Sequence, residues 1–203
     1  MNWQQLKNHT PRLISDEKLR QAAVAVVFAG AEDSLSVLLI QRVKRQQDPW
    51  SGHLAFPGGM MDSADESLLA TARREILEEV GWQPATADCL VRFDDLEGKS
   101  AGKPAGLAIA SFVFRIPIPV PVGVSDEVEK SLWAPVSELI DTRQHTKFQP
   151  YQQAFYPAVR LRDQDLPLLW GMTLRLLQQI MLSAGIVWPN SLPPIGDPET
   201  LVS

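Results

Sequence analysis

Between positions 74 and 79 the chain sets Arg74, Glu75, Glu78 and Glu79, and these are the residues whose types and spacing can do chemistry. On a helix, at about 100° per residue, Glu78 lies roughly 60° to one side of Glu75 and Glu79 roughly 40° to the other. Three carboxylates therefore share one narrow face. Left bare in solvent they repel one another and weaken the helix. A divalent cation removes that repulsion, and a donor set made of oxygen alone suits Mg²⁺ or Mn²⁺ rather than zinc. Upstream, Pro57-Gly58-Gly59 is a tight turn, which beside this helix brings backbone close to the ion.

The elements that must hold these groups are also readable. Leu69, Ala72, Ile76 and Val80 fall on the neighbouring arc, so the helix packs by one face and is charged on the next. Ser63-Ala64-Asp65-Glu66 predicts a capping box at its start and Gly81 its stop. The unit is a loop, a helix and a loop. Apolar, β-branched runs at 21–29 and 35–41 predict a hairpin about the polar turn 30–34, with Arg42 at the end of its second strand. Short or long strands are expected at 54–56, 87–96, 107–116 and 131–136, and 97–106 is expected as a loop. An acidic loop spans 124–130, a short helix starts at 135–139, and 151–161 reads as a hairpin. Residues 168–182 form an amphipathic helix, and the Pro-rich tail 189–203 reads as irregular. Residues 1–20 read as a helical extension broken at Pro11. This order suits an α/β fold, a mixed sheet sandwiched between helices.

Composition excludes several classes. At 203 residues the chain suits one domain, 1–203, with a core over about 22–183. A net charge of −5 argues against non-specific nucleic-acid binding. Cys89 is the single cysteine, which rules out an internal disulfide framework and fits a reducing cytosol. No signal peptide is visible at the N-terminus, and no run approaches the roughly 18 apolar residues of a bilayer span. A cytoplasmic enzyme with no membrane partner is expected.

The segment 56–82 resembles the Nudix box, G-x5-E-x7-R-E-U-x-E-E-x-G-U, where U is aliphatic. Glu66, seven residues, then Arg74-Glu75-Ile76-Leu77-Glu78-Glu79-Val80-Gly81-Trp82 follow it. It departs in having six residues between Gly59 and Glu66 and in ending on Trp82. The resemblance implies a Nudix-type α/β/α sandwich and metal-dependent hydrolysis of a pyrophosphate bond in a nucleoside diphosphate derivative. It makes Glu75, Glu78 and Glu79 the metal-facing carboxylates, joined by the carbonyl of Gly58 or Gly59. Arg74 is then the residue that orients the carboxylates through a charge-assisted pair, with Glu66 as a further member of that pair. The catalytic base is expected from the later acidic loop, Asp126, Glu127 or Glu129, with Glu127 preferred and Glu75 as the alternative. Relatives are often dimers, so a homodimer is among the expected assemblies.

For the substrate, Leu38-Leu39-Ile40-Gln41-Arg42 and Gly52 ahead of FPGG are similar to the upstream signature of coenzyme A pyrophosphatases, LLTxR-S/A-x3-R-x3-G-x3-FPGG. Ile40 stands for the Thr, Val43 for the small residue, and the inner Arg falls on Gln47 or Asp48, beside Arg45. Trp170-Gly171-Met172-Thr173 is also similar to that subfamily. The resemblance implies coenzyme A or an acyl-coenzyme A as substrate, giving phosphopantetheine and adenosine 3′,5′-bisphosphate, with Arg42, Arg45 and Gly59 as the binding set. ADP-ribose, a dinucleotide or another such derivative is the alternative ligand. RNA decapping lacks the basic groove and stacking series it needs. A non-catalytic, metabolite-binding Nudix domain is the alternative of another class.

Overall fold

Strand β1 (Arg20–Ala29) organises the fold because small and branched residues alternate along it. Ala23, Ala25, Val27 and Ala29 point into one apolar layer, Val26 and Phe28 into the other. Small side chains on the first side let a helix approach closely. The computed structural model describes residues 1–16, 18–46, 50–100, 103–151 and 154–189, and the expected irregular tail lies, from 190 on, outside them.

Among the described residues the main sheet has seven strands. β1 runs antiparallel to β2 (Ser36–Arg42) and parallel, over its full length, to β6 (Lys103–Ile116). β3 (Leu54–Ala55) and β7 (Val128–Pro135) pair β2, β4 (Gly58–Met60) pairs β1, and β5 (Cys89–Ser100) pairs β6. The sheet is mixed, as expected. A second sheet holds β8 (His145–Tyr151), β9 (Ala154–Val159) and β10 (Leu169–Trp170).

Helices cover both faces. α1 (Trp3–Lys7) and α4 (Gly171–Ser183) bury Leu6, Leu174, Leu177, Ile180 and Met181 against one. α2 (Leu68–Val80) buries Ala72, Ile76 and Val80 against the other. A fully buried Ile or Val stabilises by about 1.5–3 kcal/mol, so α2 is fixed through its apolar arc and its charged face is free to serve the site. α3 (Val136–Leu139) is a single turn after β7. No helix among the described residues is long and apolar enough to cross a membrane.

Four expectations are corrected. The helix α2 begins at Leu68, and its cap is Ser67, whose hydroxyl accepts from the Ala70 amide at 3.1 Å. Ser63 is not the cap, because Asp62 and Asp65 close a turn of their own: Asp65 takes the Asp62 amide and Asp62 the Ala64 amide, each at 2.9 Å. Residues 97–100 and 103–106 are strand and not loop, since β5 and β6 keep pairing out to Ser100 and Lys103 across a register shift at Gly98. Among its described residues the 1–20 extension is helical only at Trp3–Lys7. Beyond it the chain is strapped onto β5, where Asp94 takes the Arg12 amide and Asp95 the Ile14 amide, both at 3.0 Å. The hairpin expected at 151–161 starts earlier, at His145.

Candidate active site

The carboxylate face of α2 lies under the glycine turn. Gly58 donates its N–H to Glu79 Oε2 at 2.9 Å. A Cβ on Gly58 would stand 2.3 Å from the Ala23 carbonyl oxygen, and one on Gly59 would stand 2.5 Å from Glu75 Oε1. Only glycine at both positions lets backbone lie against β1 on one side and the carboxylates on the other. Glu79 is 3% exposed. Burial pushes its carboxyl up to about 8; the Gly58 amide and Arg42 oppose this, while Glu75 and Glu127 add to it. Burial also raises Glu75, against the pull of Arg74, with Glu78 and Glu127 adding to the rise. Glu78, by contrast, has its side chain 55% exposed.

Arg74 ties the face together. Its Nη1 donates to Glu75 Oε1 and to Glu78 Oε2, both at 2.8 Å. Its other nitrogens grip Asp65 in a fork, Nε to Oδ1 at 3.0 Å and Nη2 to Oδ2 at 2.9 Å, and Nη2 also donates to the Met60 carbonyl at 3.0 Å. That fork holds the Asp65 carboxyl well below the usual range. The expected pairing of Arg74 with the carboxylates is present, Asp65 is the partner that sequence reasoning missed, and Glu66, expected as a further member, is exposed. The signal was in the spacing: with five residues between it and Gly59, the interval the box prescribes, the acid is Asp65.

The residues present fit a hard divalent cation. Every side-chain donor on the face is a carboxylate oxygen, and two of the three carboxylates are buried where an uncompensated charge is costly. Among the described residues no three acidic, His or Cys side chains stand in the arrangement of a metal site. Arg74 Nη1 bridges Glu75 and Glu78, and one Glu79 oxygen accepts from the Gly58 amide.

The remaining expected residues flank this face. Glu127 contributes negative charge to both Glu75 and Glu79, and its carbonyl takes the Val43 amide at 2.9 Å. Arg45 pairs with Glu127 Oε1 at 3.2 Å and with the Asp126 carbonyl at 3.3 Å. Glu129 is turned elsewhere, accepting from Gln41 at 3.2 Å. Arg42 lowers Glu79 through its charge, and its backbone is held by the His53 carbonyl and Gly52 amide, each at 3.0 Å. The distant stretch 170–173 returns to the same place, where Thr173 donates its hydroxyl to the Leu54 carbonyl at 3.3 Å. Gln47 and Asp48 lie outside the described residues.

A mixed sheet between helices, with a carboxylate-bearing helix under a glycine turn, is the frame of a Nudix-fold hydrolase. The chain belongs to the NUDIX domain family, whose model matches residues 18–159. It is 32% identical over 166 residues to an uncharacterized protein of Schizosaccharomyces pombe, a match covering 72% of this chain and 50% of that one; the chain thus spans about half the length of this relative. It is 27% identical to the uncharacterized Nudix hydrolase NudL of Salmonella heidelberg, covering 85% of this chain and 88% of NudL. Among solved structures, the NUDIX hydrolase of Alicyclobacillus acidocaldarius shares the fold with a TM-score of 0.55 at 19% identity, covering 84% of this chain and 98% of that one. The NUDIX domain of Shewanella oneidensis NrtR complexed with ADP ribose shares it with a TM-score of 0.54 at 20% identity, covering 88% and 96%.

Proposed function

We propose that this protein hydrolyses a pyrophosphate bond in a nucleoside diphosphate derivative, with Mg²⁺ or Mn²⁺ held by Glu75, Glu78, Glu79 and a carbonyl of the 58–59 turn. The observation that carries the reading is the pair of buried carboxylates, Glu75 and Glu79, wedged against that turn. When bound, the metal neutralises the diphosphate charge and acidifies water. Arg74, anchored on Asp65, positions Glu75 and Glu78. Glu127 accepts the proton of the attacking water: Arg45 on Oε1 orients it, leaving Oε2 to take the proton, with Glu75 as the alternative base. Arg42 and Arg45 supply positive charge to the substrate's phosphates. We take residues 1–203 as one Nudix unit carrying this chemistry.

Coenzyme A or an acyl-coenzyme A is the substrate we favour. Its support is the signature across 38–59, together with the 170–173 stretch that the Thr173 hydrogen bond to Leu54 joins to it. ADP-ribose is the second reading, supported by the fold neighbour that binds it. The test is product release from coenzyme A, acyl-coenzyme A, ADP-ribose, NADH and diadenosine polyphosphates with each metal. Preference for coenzyme A, giving phosphopantetheine, supports the first reading, and preference for ADP-ribose the second. No turnover of any of them with metal bound would favour a non-catalytic binding domain.

A further inference from the structure

The carboxylates and cationic side chains account for the phosphates of such a substrate and leave its remaining arm without a site. Beside the glycine turn the fold carries an apolar strip that none of the catalytic roles uses. Its floor is a small cluster separate from the two main layers: Ala22, Leu107 and Ile109, with Val24, Leu96 and Met172 packed against it. Ala22 pairs across the sheet with Met60 on one side and Ile109 on the other. The floor therefore begins one residue from Gly59, and Met60 beside it is 41% exposed.

Two residues before Met172, Trp170 stands in a group of rings. Trp170 meets His53, Phe148 and Tyr156 at centroid distances of 5.1, 5.0 and 5.6 Å, with interplanar angles of 72, 65 and 61°. All four rings are half-buried. They come from β8, β9, β10 and the segment before β3, so three distant parts of the chain converge there. The convergence is fixed to the catalytic region at two points: Thr173 on the Leu54 carbonyl, and the Arg42 amide on the His53 carbonyl. Arg42 thus links the two regions, its charge reaching Glu79 and its amide bonded to His53. Edge-to-face packing engages flat ring surfaces within the group. What the strip offers a ligand is aliphatic carbon, ring edges and a thioether, a lining suited to a flexible chain more than to a stacked base.

We propose that this strip binds the non-nucleotide arm of the substrate as an extended, weakly polar aliphatic chain. The proposal rests on the pyrophosphatase reading above. Each methylene buried along such a strip is expected to strengthen binding by about fourfold. The probes are linear alkyl esters of ADP with two, four and eight carbons, which carry no pantetheine. In the presence of Mn²⁺, kcat/KM is expected to rise at least tenfold from the shortest to the longest ester, through KM, with kcat level. Met172→Gln and Tyr156→Ser should each flatten that dependence, and circular dichroism would confirm that both fold. A kcat/KM independent of chain length, equal dependence in wild type and variants, or a response to changing the base instead of the chain would overturn the strip while leaving the hydrolase reading intact. Failure to cleave any ester would count against the hydrolase reading itself. The strip is then judged by binding of the same esters without metal, read from tryptophan fluorescence, where affinity must still rise with chain length.

Discussion

Glu79 offers the sharpest consequence of the site's electrostatics. In the metal-free protein its carboxyl is raised from 4.5 to about 8, chiefly by burial. A group whose proton affinity rises on folding contributes stability that is complete below its unfolded value and is lost as pH climbs through its folded one. The metal-free protein should therefore weaken between pH 4.5 and 8. At about 1.4 kcal/mol per tenfold change in proton affinity, the loss is about 3 kcal/mol at pH 7 and about 5 kcal/mol above pH 8. Glu79→Gln removes the charge and keeps an oxygen to accept the Gly58 amide. Urea unfolding in EDTA, followed by tryptophan fluorescence from pH 5 to 9, is the assay. The variant should be the more stable protein at pH 7 by about 3 kcal/mol, with a shallower pH profile whose residual slope comes from Glu75. Asp65 and Asp94, both lowered from 3.8, act in the opposite sense. Their stabilisation is lost only as pH falls below that range, so it stays constant across the window. Saturating Mn²⁺ should restore the wild type and leave the variant where it was. Parallel pH profiles for the two proteins would refute the reasoning.

Other substitutions separate the roles. Gly59→Ala should displace the Glu75 carboxylate, whose oxygen lies 2.5 Å from the new Cβ, and weaken Mn²⁺ binding by at least tenfold in a calorimetric titration. Asp65→Asn should cut kcat by tenfold or more by releasing Arg74, whereas Glu66→Gln should leave steady-state rates unchanged. Glu78→Gln should abolish turnover yet unfold within about 0.5 kcal/mol of wild type, since its side chain is 55% exposed. For Glu127→Gln, the rate is expected to fall by orders of magnitude at unaltered metal affinity; a near-normal rate would return the base role to Glu75.

The helix and the strands that bury both faces were legible because periodicity alone decides them: Ala72, Ile76 and Val80 on α2, the alternating faces of β1. The α2 cap was not. Two aspartates, Asp62 and Asp65, close a turn ahead of the helix by taking the Ala64 and Asp62 amides, and nothing in a local pattern ranks that turn over a cap at Ser63. The same turn hid the partner of Arg74. Strand β8 was missed because His145–Tyr151 alternates weakly and contains Pro150; its order comes from pairing with β9. The strap of residues 9–14 depends on Asp94 and Asp95, some eighty positions away, and long-range acceptors leave no trace in a window of neighbours. Within the site, the carboxylate face could be read from spacing, while the bridging of Glu75 and Glu78 by Arg74 required the three-dimensional arrangement.

The central claim is that Glu75, Glu78 and Glu79 together hold the cation on which hydrolysis depends. The most direct measurement is a Mn²⁺ titration of wild type and Glu78→Gln by electron paramagnetic resonance, run alongside turnover of the preferred substrate. The expected result is one isotherm describing both Mn²⁺ uptake and wild-type rate, shifted at least tenfold weaker in the variant. Full turnover in EDTA, or the same isotherm in both proteins, would contradict it.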